Sequence, residues 1–116
     1  MTEISRIRQD DSDLHKRWFT SETEDLYIWT KAGSLQSFEY CFDKHKSECS
    51  IRWHRDHAPA YTQIDGGDHD GGYKMSPVSI AGYKPDIRKL LAKFAHAACY
   101  LENKMYNSIT DKIEAL

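Results

Sequence analysis

The chain has 116 residues, of which 40% are hydrophobic and 29% are charged, and its formal net charge is -2. This composition fits one folded domain of ordinary size and excludes a disordered or low-complexity chain. The nearly balanced charge also argues against general nucleic-acid binding, which depends on an overall positive field.

Cysteine usage and hydropathy bear on the cellular compartment. Cys41, Cys49 and Cys99 make an odd number with no C-x-x-C pair, which favours a reducing environment over a disulfide framework. The first residues contain no apolar core of a secretory signal, and no apolar run approaches the about 20 residues that span a bilayer. We therefore expect a cytoplasmic protein that does not enter the membrane.

Residues 1–14 are polar and show no period, which predicts a flexible or weakly ordered arm. Residues 15–80 then read as a β-sheet, and residues 84–115 read as helical. We expect these segments to form a single domain that occupies residues 1–116.

Short runs of alternating apolar and polar residues predict five or six strands within the sheet segment. Short, turn-rich connections join these runs and favour an antiparallel meander over parallel crossovers. The predicted strands are residues 16–20, 25–31, 35–43, 48–55, 60–65 and 73–80.

Apolar residues recur at three- and four-residue steps from Ile87 to Ile113, as in an amphipathic helix. Pro85 suits a first helical position, and Asp86 complements the helix dipole there. One unbroken helix over residues 85–114 would be about 45 Å long, more than the about 35 Å width of such a domain. We therefore predict a break near residues 101–103, with one long helix as the alternative. The expected fold class is α+β, with the helices on one face of the sheet.

The segment IDGGDHDGGYK, residues 64–74, contains two glycine pairs and raises the question of a ligand loop. A calcium loop aligned on Asp68 and Asp70 would place Pro77 where a bidentate glutamate is needed. A phosphate-binding loop would lead into a helix, whereas this one leads into a predicted strand. The segment therefore favours a hairpin loop.

A transition-metal site is the chemical interpretation that the residues leave open. His54 and His57 precede the strand that leads to this loop, and His69 lies within it. Together with Asp68 or Asp70 they could supply nitrogen and oxygen ligands for zinc. This site is our alternative hypothesis, in which the protein is an enzyme that binds a metal or a small ligand near His54, His57 and His69.

No other pattern predicts catalysis or a cofactor. The chain has no G-x-S-x-G motif, and we predict no catalytic residue and no cofactor. His96 lies three residues before Cys99, so the two side chains could meet on one helical face. Cysteine in such an apolar stripe is more often a buried small hydrophobe than a nucleophile.

A basic cluster of Lys44, Lys46, Arg52 and Arg55 is the feature that could contact nucleic acid. The alternation of the strand, however, places Trp53 on the face opposite Arg52, which separates the aromatic ring from the charge. A solvated strand face is the simpler interpretation, and a nucleic-acid partner is not expected.

The aromatic residues exceed what one helical layer covers. Because strand residues alternate, some of these rings must lie on the outer face of the sheet, where they would mark a partner site. The leading hypothesis is a non-enzymatic binding domain whose partner is an unidentified protein or a second copy in a homodimer. The predicted interaction residues are Tyr27, Trp29, Arg52, Trp53 and Tyr61.

Four short strings resemble those of a group of small bacterial proteins of unknown function. They are RWF at 17–19, DLYIW at 25–29, CFDK at 41–44 and YKMSP at 73–77. The resemblance covers roughly residues 17–100 and implies a stand-alone bacterial domain. It implies no active residues.

Overall fold

A computed structural model describes residues 1–9, 13–44, 48–63, 78–79, 86–98 and 101–116. Its sheet is antiparallel, and the spatial order of the strands is their order in the chain. The elements are β1 Thr2–Glu3, β2 His15–Thr20, β3 Asp25–Lys31, β4 Ser34–Phe42, β5 Cys49–His54, β6 His57–Gln63, β7 Val78–Ser79, α1 Ile87–Ala97 and α2 Asn103–Glu114.

The predicted α+β architecture, a meander sheet followed by helices, is confirmed. Strands β2 to β6 correspond to five of the predicted runs, and β7 is the described part of the sixth. A two-residue strand at each edge brings the described sheet to seven strands. The extra one, β1, lies in the amino-terminal segment and pairs with Phe19 and Thr20 of β2.

Strand register assigns the side chains to two faces, because successive residues of a strand point to opposite sides. Phe19, Leu26, Tyr40 and Ile51 are neighbours across β2 to β5 and are buried. Both helices pack on this side, which we call the inner face. The buried residues that they contribute to the core are Leu90, Phe94, Ile109 and Ile113.

The helical region is divided in two, as its length predicts. Asp86 caps α1, because its carboxylate accepts hydrogen bonds from the backbone N–H groups of Arg88 and Lys89. The described helix therefore begins at Ile87, and Pro85 lies outside the described residues. The predicted break lies between α1 and α2, where the buried Leu101 inserts into the core. No helix in the described part of the chain is long and apolar enough to span a membrane.

A tight turn joins β3 to β4 at one end of the sheet. Its two central residues, Ala32 and Gly33, have φ values of 51° and 81°. Lys31 and Ser34 pair on either side of them, which makes a two-residue hairpin loop. Positive φ at both positions is the signature of a type I′ turn, whose twist matches that of the strands.

Candidate functional site

We call the side of the sheet opposite the helices the outer face. Its positions follow from the register of β2 to β6, which places them in three rows across the sheet. Neither α1 nor α2 packs on this face. The rows are Lys16–Trp29–Ser37–His54–His57, then Trp18–Tyr27–Glu39–Arg52–Ala60, then Thr20–Asp25–Cys41–Ser50–Thr62.

Three stacked rings, Trp18, Tyr27 and Trp29, form what we call the aromatic ladder. Trp18 and Tyr27 are cross-strand partners with ring centroids 5.9 Å apart and planes 10° apart. Tyr27 and Trp29 are 6.1 Å apart at 25°. The Lys16 ammonium lies 5.3 Å from the centroid of Tyr27 and 5.6 Å from that of Trp29. All three rings are half-buried, so part of each faces solvent.

Charged residues beside the ladder are held in pairs. Arg52 lies 3.3 Å from Glu39, and the Lys44 ammonium lies 3.1 Å from the Asp25 carboxylate. The indole N–H of Trp18 donates to the same Asp25 at 3.3 Å. Trp18 is thereby held both by this hydrogen bond to Asp25 and by its stacking on Tyr27.

Burial and nearby carboxylates raise the pKa values of two groups on this face, the Cys41 thiol and the Tyr27 phenol. Burial is the main cause that raises the pKa of the Cys41 thiol to about 12, with a further contribution from Glu39 and Glu48. Burial likewise raises the pKa of Tyr27 above its ordinary value, and Asp25 adds to this shift. Cys41 is therefore a protonated thiol at neutral pH and a poor nucleophile.

The predicted interaction residues divide between the two faces. Tyr27, Trp29 and Arg52 lie on the outer face, and the structure brings the first two into contact. Trp53 and Tyr61 lie on the inner face, where they pack against the edge of the core. The sheet therefore does not bring all five together.

Trp53 occupies a separate environment on the helix side. Its ring stacks on Phe38 with centroids 5.9 Å apart, and the Lys112 ammonium lies 5.1 Å from its centroid. It lines a groove of about 470 Å³ with Leu35, Arg55 and α2 residues. Trp53 is thus part of the sheet–helix junction.

Trp18 of the aromatic ladder and Lys16 beside it were not among the interaction residues predicted from the sequence. The sequence did contain a signal for Trp18, because alternation in β2 places its side chain on the opposite face of the sheet from the apolar Phe19. The run KRWFT is short, however, and only its pairing with β3 shows that Trp18 meets Tyr27.

The histidines of the alternative hypothesis are partly brought together. His54 and His57 are cross-strand partners, and their ring centroids lie 4.4 Å apart. The Nδ1 atom of His54 accepts a hydrogen bond from the backbone N–H of Asp56 at 3.0 Å. An accepting ring nitrogen carries no proton, so neutral His54 holds its proton on Nε2.

His69 and the whole loop at residues 64–74 lie outside the described residues. Among the residues that are described, no group of three or more histidine, cysteine, aspartate or glutamate side chains could hold a metal ion.

The basic residues considered for nucleic acid are placed beside carboxylates. Lys44 pairs with Asp25 and Arg52 with Glu39, while Arg55 donates to Gln36 and lies 3.9 Å from Asp56. Lys46 falls in a stretch that the structure does not describe. Paired cations of this kind contribute little positive surface potential.

Comparison with protein-family models, with curated proteins and with solved structures gave no match to this chain.

Proposed function

We propose that the protein is a non-enzymatic binding domain that contacts another protein through its outer face. The observation that carries this proposal is the aromatic ladder, Trp18–Tyr27–Trp29, which is partly exposed on a sheet face that neither described helix covers. Tryptophan, tyrosine and arginine are the residue types that contribute most to protein interfaces. Arg52 is the outer-face arginine, and its side chain is 64% exposed.

The ladder is also suited to binding because its rings are already ordered. Stacking fixes Tyr27 between two tryptophans, and Asp25 accepts a hydrogen bond from Trp18. Ordering a flexible side chain at an interface costs about 0.5–1.5 kcal/mol, and rings held in place beforehand avoid most of that cost. A partner would therefore gain apolar contact with a small loss of conformational entropy.

The described chemistry of the outer face favours binding over catalysis. Its thiol, Cys41, is held in the protonated form, and its carboxylates Asp25 and Glu39 are in ion pairs. A general base or nucleophile needs a free, activated group within reach of a substrate.

A site-specific photo-cross-linker tests the proposal. Benzoylphenylalanine would replace Trp29 on the ladder and, as a matched control, Lys104 on the exposed side of α2. The protein would be irradiated in cells of its source organism. We expect a discrete cross-linked protein from position 29 and none from position 104. No adduct at position 29, or the same adducts at both positions, would refute the proposal.

A second candidate function is a metal- or small-ligand-binding enzyme with its site near His54, His57 and His69. The contact between the rings of His54 and His57, 4.4 Å apart, favours it. Ligation through Nε2 of His54 would require its proton to move to Nδ1, which would break the bond from Asp56.

Titration with Zn²⁺ or Ni²⁺, followed by the ¹⁵N shifts of the imidazoles, tests this second candidate. Saturable binding with a change of the His54 tautomer, lost in His57→Ala, would support it. Unchanged shifts at millimolar metal would refute it.

A further inference from the structure

We infer that the outer face is complementary to itself, and that the partner is a second copy of the chain in a two-fold symmetric dimer. In this dimer Tyr27 and Trp29 of each copy lie over strand β5 of the other copy, and Trp18 lies over β6. This inference rests on the proposed function, because it names the partner of the same face.

The face has two halves of unlike chemistry with β4 between them. Strands β2 and β3 carry the aromatic ladder, whereas β5 carries Arg52 and His54 in the same rows. The strand between them presents Ser37, Glu39 and Cys41 toward the same side, and Arg52 of the same chain pairs with Glu39. The small side chains of Ser37 and Cys41 on either side of Glu39 allow two such faces to approach closely.

The register gives the contacts that two-fold symmetry would produce. A two-fold axis that runs along β4 exchanges β3 with β5 and leaves each row at the same position along the strand direction. Tyr27 of one copy would then lie over Arg52 of the other copy, and Trp29 over His54. Because the faces of the Tyr27 ring are stacked within the ladder, Arg52 would donate a hydrogen bond to the phenol oxygen of Tyr27, and the His54 imidazole would pack against the edge of the Trp29 indole. Each would occur twice in an isologous interface.

The charge of the face favours a second copy over a strongly charged partner. Three basic residues, Lys16, Lys44 and Arg52, are matched by three acidic residues on or beside the same face. A face with no net charge does not attract a polyanion, and each Glu39 that meets its copy at the axis is already paired with Arg52 of its own chain. The acidic residues are Asp25, Glu39 and Glu48.

The size of the face sets the expected strength of association. Five strands about 4.8 Å apart, with about six residues each at 3.3 Å, give a footprint of about 500 Å² per copy. Standard stable interfaces bury about 800 Å² per partner, so this one lies at the small end. We therefore expect a dimer that dissociates on dilution.

Cross-linking tests the position of the axis. Because the axis runs along β4, the two copies of Ser37 would be neighbours across the interface, and facing sheets lie only about 10 Å apart. Ser37→Cys should be joined to itself by a short bis-maleimide, whereas Lys104→Cys on α2 should not be. The native Cys41 reacts slowly because burial raises its pKa to about 12. Peptide mapping would identify the 37–37 product.

Sedimentation velocity tests the role of Arg52. The wild-type chain should shift from monomer to dimer as its concentration rises, and Arg52→Glu should weaken the dimer at least tenfold. Arg55→Glu makes the same charge change in the β5–β6 turn and should leave the dimer unchanged. Arg52→Ala serves as a milder variant if Arg52→Glu disturbs folding through its proximity to Glu39, which circular dichroism would reveal.

The outcomes separate this inference from the proposed function. A monomer at every concentration would overturn the dimer, and equal loss in the Arg52 and Arg55 variants would overturn the proposed interface. A photo-cross-link from position 29 to a different protein would also overturn it while the proposed binding function stood. An adduct with the mass of two chains, together with the 37–37 product, would support both.

Discussion

Arg17 on β2 donates two hydrogen bonds, of 2.8 and 2.9 Å, to the carboxylate of Glu102, which lies 85 positions later in the chain. The same guanidinium donates two more, of 2.8 and 2.9 Å, to Glu3 on β1. One side chain therefore ties the edge strand β1 and the start of α2 to the sheet. The planar fork of arginine permits this double bidentate contact, which a lysine ammonium could not reproduce.

Arg17→Met should lower the free energy of unfolding by about 1–2 kcal/mol, because it removes the shared cation and leaves two carboxylates facing each other. The guanidinium carbon also lies 5.0 Å from the centroid of the Phe19 ring, and methionine keeps an apolar side chain beside that ring without the charge. Urea denaturation at neutral pH would measure the change, with Arg17→Lys expected to lose less than Arg17→Met. Equal stability of wild type and Arg17→Met would contradict the prediction.

Acid should weaken this same connection. The Arg17 guanidinium holds the pKa values of Glu3 and Glu102 below their ordinary range. A carboxylate whose pKa is lowered by folding stabilises the protein above its unfolded value, and that contribution is lost as the pH falls through the folded pKa. The stability difference between wild type and Arg17→Met should therefore shrink below about pH 4.5. A difference that stays constant between neutral pH and pH about 3 would contradict the assignment.

The phenol of Tyr40 donates a 2.9 Å hydrogen bond to Glu24, a residue that is only 8% exposed. Burial, and then the Glu24 charge, raise the pKa of Tyr40 above its ordinary value. Tyr40→Phe should cost about 1–3 kcal/mol, because it removes this donor from a buried carboxylate. Tyr27→Phe on the outer face is the matched control and should change stability by less than about 0.5 kcal/mol. Chemical denaturation of the two variants would compare them, and equal losses would count against a special role for Glu24.

Ala32 adopts a positive φ of 51° in the β3–β4 turn, a conformation that alanine disfavours. Ala32→Asn should stabilise the protein by about 0.5–1 kcal/mol, since asparagine is preferred at this position of a type I′ turn. Gly33→Ala should destabilise it although no atom lies within 4 Å of the added Cβ, because the cost comes from the backbone alone. Thermal melts would measure both changes. An unchanged melting temperature in Gly33→Ala would show that the turn can change its conformation.

Local patterns in the sequence predicted most of the fold. The alternation of DLYIWTK predicts β3 with the bounds that the structure has, Asp25–Lys31. Strand β6 begins earlier than the predicted residue 60, at His57. In the structure Pro59 lies opposite a register shift between Arg52 and His54, where a missing N–H is tolerated.

Information that depends on distant residues could not be predicted in the same way. Alternation separates Tyr27 from Leu26 but does not say which side the helices will cover. That choice is made by contacts between residues far apart in the chain, such as the edge-to-face contact of Phe94 with Tyr40. For the same reason Trp53 and Tyr61 were grouped with Tyr27 and Trp29, from which the sheet separates them. Strand β1 depends on pairing with β2, and its polar sequence has no period to reveal it.

The order of elements along the chain has a consequence for synthesis. Every described strand of the meander leaves the ribosome before either helix, and each long strand can pair at once with the one made just before it. Hairpins of this kind form early because their contacts are local. The apolar inner face, with Phe38 and Ile51 at its centre, stays uncovered until α1 and α2 emerge. A nascent chain that pauses before residue 87 would therefore expose this apolar face to other chains. Prompt synthesis of residues 87–116 protects the nascent chain from aggregation.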